Sequence, residues 1–142
     1  MVGKVRGLLT SSMSYWALLI RLSLGSVFVQ TGWGKLHHLM DVTMFFQSLG
    51  IPFPHAHAVF VSCLEFVGSI ALILGLGTRV FAFLLSGIMA VAIITAQLPQ
   101  LEVFFDLFGF QEWTFLLLLG TLIFYGAGRV SLDWIIGRKY GA

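Results

Sequence analysis

The chain has few charged residues and a single cysteine, and each shortage excludes a class of protein. Charged residues make up 10% of the 142 residues, whereas soluble domains carry roughly 25%, so a surface that faces water throughout is excluded. Cys63 has no second cysteine with which to form a disulfide, a CxxC relay or a cysteine zinc site. The formal net charge of +2 is too small for nucleic-acid binding, which needs a continuous basic stripe. What remains is an apolar chain with a mean hydropathy of +0.98, as in membrane proteins.

Four apolar stretches account for most of the length. A helix needs about 20 residues to cross the hydrocarbon of a bilayer, so the chain has room for four crossings with short loops and for no separate soluble domain. We therefore predict an all-α membrane protein, one domain over residues 1–142, folded as a four-transmembrane-helix bundle. The predicted spans lie at about residues 15–34, 57–76, 79–97 and 112–128.

The loop after the first span contains a short amphipathic segment. Asp41 can cap a helix there, and the turn that begins at Gly50 ends it. The apolar stripe of this segment consists of Met44, Phe45, Phe46 and Leu49. Helices of this kind lie on the membrane surface or dip into it, so the sequence predicts a short interfacial helix in the first outer loop.

Basic residues are distributed unevenly between the two sides of the predicted bundle. The side with both termini and the turn after the second span holds six of them: Lys4, Arg6, Arg79, Arg129, Arg138 and Lys139. The connections on the other side hold only Lys35. Because positively charged loops resist translocation, this count predicts that the N- and C-termini are cytoplasmic.

Two ionisable residues fall within predicted spans, Arg21 and Glu65. Such a residue costs about 2.5–3.5 kcal/mol on insertion scales and therefore needs a partner or a function. At ~1.5 Å per residue, the two lie on the order of 10 Å and 15 Å from the same end of the bundle. An arginine side chain can span the difference between these two depths, so we predict that Arg21 and Glu65 form an ion pair. The pair either fixes helix packing or serves a quinone head group or a proton relay; separate snorkelling of the two side chains is the third alternative.

One face of the first span carries more of the candidate site. Residues at spacings of four and three follow Arg21 on this face: Gly25, Phe28, Gly32 and Lys35. The glycines permit close helix approach, and the matching face of the second span consists of Glu65, Gly68, Ser69 and Leu72. Phe28 and Trp33 are candidate walls of an aromatic pocket. Further hydrogen-bonding groups are present at Gln30, Thr31 and Gln97, but the sequence does not determine which way these side chains point.

All four histidines lie near the first outer loop: His37, His38, His55 and His57. This concentration permits a copper or zinc site or haem ligation, and ordinary interfacial histidines are the alternative. No H-x-x-x-H pair presents two imidazoles on one helical face. We therefore assign no metal site, and the cofactor stays open.

Five short motifs lie in order between residues 15 and 134. They are Arg21-Leu22-x-Leu24-Gly25 with Phe28 and Gly32-x-x-Lys35; Phe46-x-x-Leu49-Gly50-Ile51-Pro52; Glu65-x-x-Gly68; Leu74-Gly75-Leu76-x-Thr78-Arg79; and Gly126-x-Gly128-Arg129-x-Ser131-Leu132-Asp133. Each is weak alone, but in this order and spacing the set resembles the DoxX family of small bacterial four-helix membrane proteins.

The resemblance implies a multi-pass protein of the bacterial inner (plasma) membrane. The family takes its name from the membrane subunit of a thiosulfate:quinone oxidoreductase, which implies a membrane subunit of a redox complex linked to quinone and to sulfur or thiol oxidation. In such a subunit Arg21 would donate to a quinone carbonyl while Glu65 exchanges the proton. Two alternatives stay open: a non-catalytic scaffold that recruits soluble enzymes, and a small solute carrier or channel. The expected partners are the lipid bilayer and other subunits, with homo-oligomerisation open.

Overall fold

The computed structural model describes the backbone of residues 2–140, and the side chains within that range except those of residues 2–11, 104, 105, 107 and 140. In this part the chain is helical, without strands, which confirms the predicted all-α fold. The α-helices are α1 (Val2–His37), α2 (Leu39–Ser48), α3 (Pro54–Leu74), α4 (Thr78–Ala92), α5 (Gln111–Tyr125) and α6 (Leu132–Tyr140). The side chains of Lys4 and Arg6, which entered the charge count, lie outside the described residues.

Helix α4 does not stop at its last regular turn. It continues as a π-helical segment, Ile93–Gln97, and then as a 3₁₀ turn, Leu98–Gln100. A further 3₁₀ stretch, Phe104–Gly109, leads into α5. The π-helical segment is notable because such segments are rare and frequently lie at functional sites.

Three of the described helical segments are long and apolar enough to cross a membrane: Ser12–His37, Pro54–Leu74 and Thr78–Gln100. Helix α5 has 15 residues and ends at Gly126, whose φ of 76° leaves the helical region. It is therefore about 22 Å long at 1.5 Å per residue, which is less than the roughly 30 Å of bilayer hydrocarbon. The protein has the helices of a membrane protein, but the predicted fourth span is not confirmed.

The helices form a bundle with two distinct ends. Helices α1 and α3 pack antiparallel, α4 and α5 form a second pair, and α2 packs on α3. We call the end at which α1 and α4 finish the α2 end, and the end at which α3 and α5 finish the α6 end. The core cluster of buried residues comes from all four long helices: Ala17, Leu24, Phe28, Leu72, Ala82, Leu85, Met89, Leu119 and Leu122.

The short helix predicted in the first loop is present as α2. It begins at Leu39, so Asp41 lies in its first turn and is not the cap; the N-cap residue is His38, whose side chain makes no capping hydrogen bond. None of the residues of α2 is buried. Helix α2 therefore covers the bundle from its surface, and its position at a membrane interface stays a prediction.

The glycine face of α1 packs against α3 as predicted. A Cβ added at Gly32 would lie 2.6 Å from the backbone nitrogen of Phe66 and 3.1 Å from the carbonyl carbon of Glu65. Because backbone cannot move aside cheaply, this contact fixes how closely the two helices approach and how far one is displaced along the other. It places Glu65 at the level of Gly32.

A methyl group at Gly32 should therefore push α1 away from α3. We expect Gly32→Ala to lower the unfolding free energy by about 1–3 kcal/mol, the usual cost of overpacking, measured by thermal unfolding in detergent. Gly34→Ala is the matched control, since a Cβ there meets nothing within 4 Å and the gain in helix propensity is the same. Equal stability of the two variants would show that the close approach at Gly32 does not hold the helices together.

Candidate functional site

Arg21 lies at the α6 end, where, among the described residues, its guanidinium donates only to backbone carbonyls. Nε donates to the carbonyl of Leu72 at 2.8 Å and Nη2 to that of Ile73 at 3.0 Å. Nη1 donates to the carbonyls of Ala127 and Val130. The first two carbonyls belong to the last turn of α3, and that of Leu72 also accepts the N–H of Gly75 at 3.1 Å. Arg21, 1% exposed, thus joins α1 to the end of α3 and to the loop between α5 and α6.

A second set of backbone contacts closes the α6 end. The carboxylate of Asp133 accepts the N–H groups of Gly77 and Thr78, at 2.7 and 3.0 Å, and so caps α4. The N–H of Asp133 donates to the carbonyl of Gly75 at 2.9 Å. A carboxylate at the N-terminus of a helix is favourable because of the unpaired N–H groups there. These residues belong to the last two motifs of the sequence, and their contacts are structural.

The predicted ion pair between Arg21 and Glu65 is wrong. Glu65 lies at the level of Gly32, eleven residues further along α1 than Arg21, which is about 16 Å along the axis. The prediction assumed that the two spans start at the same level. The observed offset of α1 and α3 follows instead from the contact of Gly32 with α3, and the carbonyls at the α6 end satisfy Arg21 without a carboxylate.

The partner of Glu65 is Lys35. Nζ of Lys35 lies 2.7 and 2.9 Å from the two carboxylate oxygens, and Thr31 Oγ1 donates to Oε2 at 3.3 Å. The side chain of Glu65 is 1% exposed and that of Lys35 is 33% exposed. The carboxylate is therefore buried within the helix packing, and the ammonium group lies at its accessible side.

A cavity of about 810 Å³ lies beside this pair, within the α2 half of the bundle. Helices α1 to α5 all contribute to its wall, which is mostly apolar and partly open. Its aromatic side chains are Phe28, Phe45, Phe46, Phe60 and Phe115. Its polar and charged side chains include Thr31, Lys35, Asp41, His57, Glu65, Thr95, Gln97, Gln111 and Glu112. Cavities of this size with a few converging polar groups are typical of small-molecule sites.

The structure divides the sequence candidates between two regions. Lys35, Glu65 and Phe28 come together at the cavity, whereas Arg21 lies at the α6 end. Trp33 is not among the lining residues; it is 55% exposed and stacks on Phe66, with centroids 5.6 Å apart. Phe28 instead meets Phe115 at 5.3 Å, so the aromatic wall opposite α1 comes from α5.

The four histidines have separate partners. Each Nδ1 atom lies near a different group: Trp33 O for His37, Asp41 Oδ2 for His38, Thr43 Oγ1 for His55 and Phe53 O for His57. Among the described residues, no three His, Cys, Asp or Glu side chains come close enough together to hold a metal ion. The described histidines thus do not gather into one copper or zinc site, and this spacing does not test axial ligation of haem, which needs only one or two of them.

Sequence analysis did not assign Phe115, Gln97 or Glu112 to the site. Nε2 of Gln97 donates to Oε1 of Glu112 at 3.2 Å, which joins the π-helical segment to the first turn of α5. An amide at the end of one apolar stretch and a carboxylate at the start of the next were visible in the sequence. That they line one cavity with Lys35 depends on the packing of four helices.

The described helices and this cavity define an all-helical membrane protein in which a buried carboxylate, paired with a partly exposed lysine, lies beside a mostly apolar chamber. The DoxX family model matches residues 16–98, more than half of the chain, and the protein belongs to the DoxX family. "Putative oxidoreductase CatD" of Bacillus subtilis (strain 168) is 28% identical over 137 residues, which cover 94% of this chain and 97% of that relative. No solved structure matches the chain.

Proposed function

We propose that this protein is the quinone-binding membrane subunit of an oxidoreductase complex. The observation that carries the proposal is the cavity of about 810 Å³, which combines aromatic walls with the Lys35–Glu65 pair. An aromatic, mostly apolar chamber favours a flat apolar ring, and a charged donor favours an oxygen on that ring. The name of the Bacillus subtilis relative, an oxidoreductase, agrees with this class of ligand.

Lys35 is the group suited to bind a quinone oxygen, in place of Arg21. An ammonium group has three N–H donors, and the contacts with Glu65 use two of its directions. The third can donate to a carbonyl oxygen in the cavity. Phe28 and Phe115 are placed to contact the face of the ring.

The same pair can supply a proton when the quinone is reduced. Reduction to a hydroquinone takes up two electrons and two protons, and in this proposal the electrons come from a redox partner protein. Lys35 passes one proton to the nearer ligand oxygen and is then reprotonated by water through the open side of the cavity, while Glu65 holds the positive charge in place. Water supplies the second proton to the other ligand oxygen. Proton transfer of this kind requires donor and acceptor within hydrogen-bonding distance.

The proposal also includes the membrane in which the subunit lies and its orientation there. In this proposal the subunit lies in the inner membrane with both termini cytoplasmic, an orientation that the charge count supports, and the cavity lies in the outer half of the bilayer. The link to sulfur or thiol oxidation rests on the family resemblance alone. Helix α5, at 15 residues, crosses as a fourth span only where the bilayer thins or a neighbouring subunit covers its ends.

The proposal is tested by filling the cavity. Gly87 lines it, and a Cβ there meets nothing within 4 Å, so Gly87→Leu begins a larger side chain at the cavity wall without a close contact at its Cβ. We expect this variant to bind duroquinone at least about tenfold more weakly than the wild type, a loss on the order of 1.4 kcal/mol. Duroquinone is suitable because its ring is fully substituted and does not alkylate lysine or cysteine. Binding is measured by titration of the purified protein in detergent.

Gly120→Leu on α5 is the matched control. A Cβ at Gly120 also meets nothing within 4 Å, and the residue is not part of the cavity wall. It should bind duroquinone with wild-type affinity. Failure of the wild type to bind any quinone would remove the proposal, and co-purification of soluble proteins in that case would favour the scaffold alternative.

A further inference from the structure

The cavity has a second polar pair, Gln97 and Glu112, for which the proposed function has no use. Both residues are half-buried, both line the cavity, and the amide of Gln97 donates to Glu112. No described group donates to the other carboxylate oxygen, Oε2 of Glu112. The pair thus has one acceptor atom left, and the amide of Gln97 has a second N–H.

The two polar pairs lie at the same depth on opposite helices. Phe28 and Phe115 form a ring contact that joins α1 to α5, with centroids 5.3 Å apart. Thr31 follows Phe28 by three residues and Glu112 precedes Phe115 by three, while α1 and α5 run in opposite directions. Thr31 and Glu112 therefore each lie about 4.5 Å from the ring contact, in the direction of the α2 end.

Thr31 in turn contacts Glu65, so the Lys35–Glu65 pair lies on the α1 side of the contact between Phe28 and Phe115, and Glu112 lies on its α5 side. The two rings are tilted by 57° and form one aromatic wall of the cavity. A ligand ring against this wall can be flanked by one polar pair from each side.

The π-helical segment explains how Gln97 comes to face the cavity. A π turn contains about one residue more than an α turn, and one extra residue rotates all later side chains by about 100° around the helix. Gln97 is the last residue of the segment Ile93–Gln97 that makes this adjustment. Its position, at the cavity wall and next to a hydrogen bond to α5, is the usual context of a functional π segment.

We propose that the Gln97–Glu112 pair binds a second oxygen of the ligand, so that the site selects a para-quinone and its hydroquinone over rings with adjacent oxygens or with one. This inference rests on the proposed function. In the hydroquinone state, one hydroxyl oxygen accepts from Lys35 and the opposite hydroxyl donates to Oε2 of Glu112. In the quinone state, the opposite oxygen accepts from the second N–H of Gln97.

The test compares two ligands that differ in the second oxygen. Durohydroquinone has a hydroxyl at each end of a methylated ring, and pentamethylphenol has only one. We expect Glu112→Leu to weaken durohydroquinone binding about tenfold or more, as for loss of a hydrogen bond to a charged group, and to change pentamethylphenol binding less than about twofold. Tetramethylcatechol, with adjacent hydroxyls, should bind the wild type about as weakly as pentamethylphenol.

Two further variants keep the test decisive. Glu102→Leu removes an exposed carboxylate that is not part of the cavity wall and should leave both affinities unchanged. If Glu112→Leu does not fold, Glu112→Gln keeps the size of the side chain, and it should lower the affinity for durohydroquinone more than that for duroquinone.

The outcomes separate the inference from the proposed function. Equal weakening of durohydroquinone and pentamethylphenol by Glu112→Leu, or no weakening of either, would overturn the inference while the quinone site at Lys35 stands. Failure of the wild-type protein to bind any of these ligands would overturn both.

Discussion

Replacement of Arg21 by methionine should destabilise the protein by about 3 kcal/mol or more, the largest effect of any substitution at the α6 end. The variant removes hydrogen bonds to four carbonyls, and bonds to a charged group contribute about 1.5–3 kcal/mol each. It also leaves the carbonyl of Ile73, at the end of α3, without the donor that Arg21 supplies. The measurement is the free energy or midpoint of unfolding in detergent.

Arg79→Met is the control for this experiment. Arg79 is exposed and donates to one carbonyl, that of Phe124, at 3.3 Å, so its replacement should cost less than about 1 kcal/mol. If Arg21→Met is not recovered in folded form, Arg21→Lys serves in its place, because lysine keeps the charge but not the planar arrangement of donors. Unfolding of Arg21→Met or Arg21→Lys at the same point as Arg79→Met would contradict the structural role of Arg21.

Replacement of Lys35 by methionine should cost about 3–5 kcal/mol, because it leaves the buried carboxylate of Glu65 without a cation. The double variant Lys35→Met/Glu65→Met should regain most of this stability, since removal of both charges of a buried pair is often neutral or stabilising. Thermal unfolding of the wild type, Lys35→Met and the double variant supplies the comparison.

The double variant also separates a structural role of the pair from a binding role. A pair that only fixes helix packing would leave duroquinone affinity unchanged in a stable double variant. We expect the opposite, a loss of affinity of about tenfold or more as the donor disappears. Wild-type affinity in the double variant would remove Lys35 from the binding site.

The sequence allowed good prediction of features that depend on local composition. Apolar length predicted the long helices, and small residues at helical spacing predicted the face on which α1 meets α3 through Gly32. The amphipathic segment after the first span predicted α2. Each of these signals belongs to one stretch of chain and needs no knowledge of its neighbours.

The predictions that were wrong concern features that depend on how far one helix is displaced along another. The predicted partner of Arg21 was wrong because the depth of each residue was counted from the end of its own span. Such counting does not show how far one helix is displaced along the other, which the Gly32 contact determines. The carbonyls that Arg21 binds have no signature in side-chain sequence. The choice between Lys35 and Arg21 as the cation beside Glu65 follows from the same offset.

The wall of the cavity was predictable only in part. Phe28 and Lys35 share a face with the glycines of α1, and that face was identified. Phe115 and Glu112 belong to α5, whose approach to α1 cannot be predicted from a local sequence pattern. The facing of Gln97 depends on the π-helical segment, and this irregularity cannot be inferred from alternation of apolar residues.

In the proposed function, a quinone binds in the chamber beside Lys35 and Glu65. The most direct measurement is the ratio of duroquinone dissociation constants for Gly87→Leu and Gly120→Leu, determined side by side at equal detergent concentration so that partition into micelles cancels. The account predicts a ratio of at least about ten. A ratio near one, with both variants folded, would place the ligand outside the chamber and contradict the account.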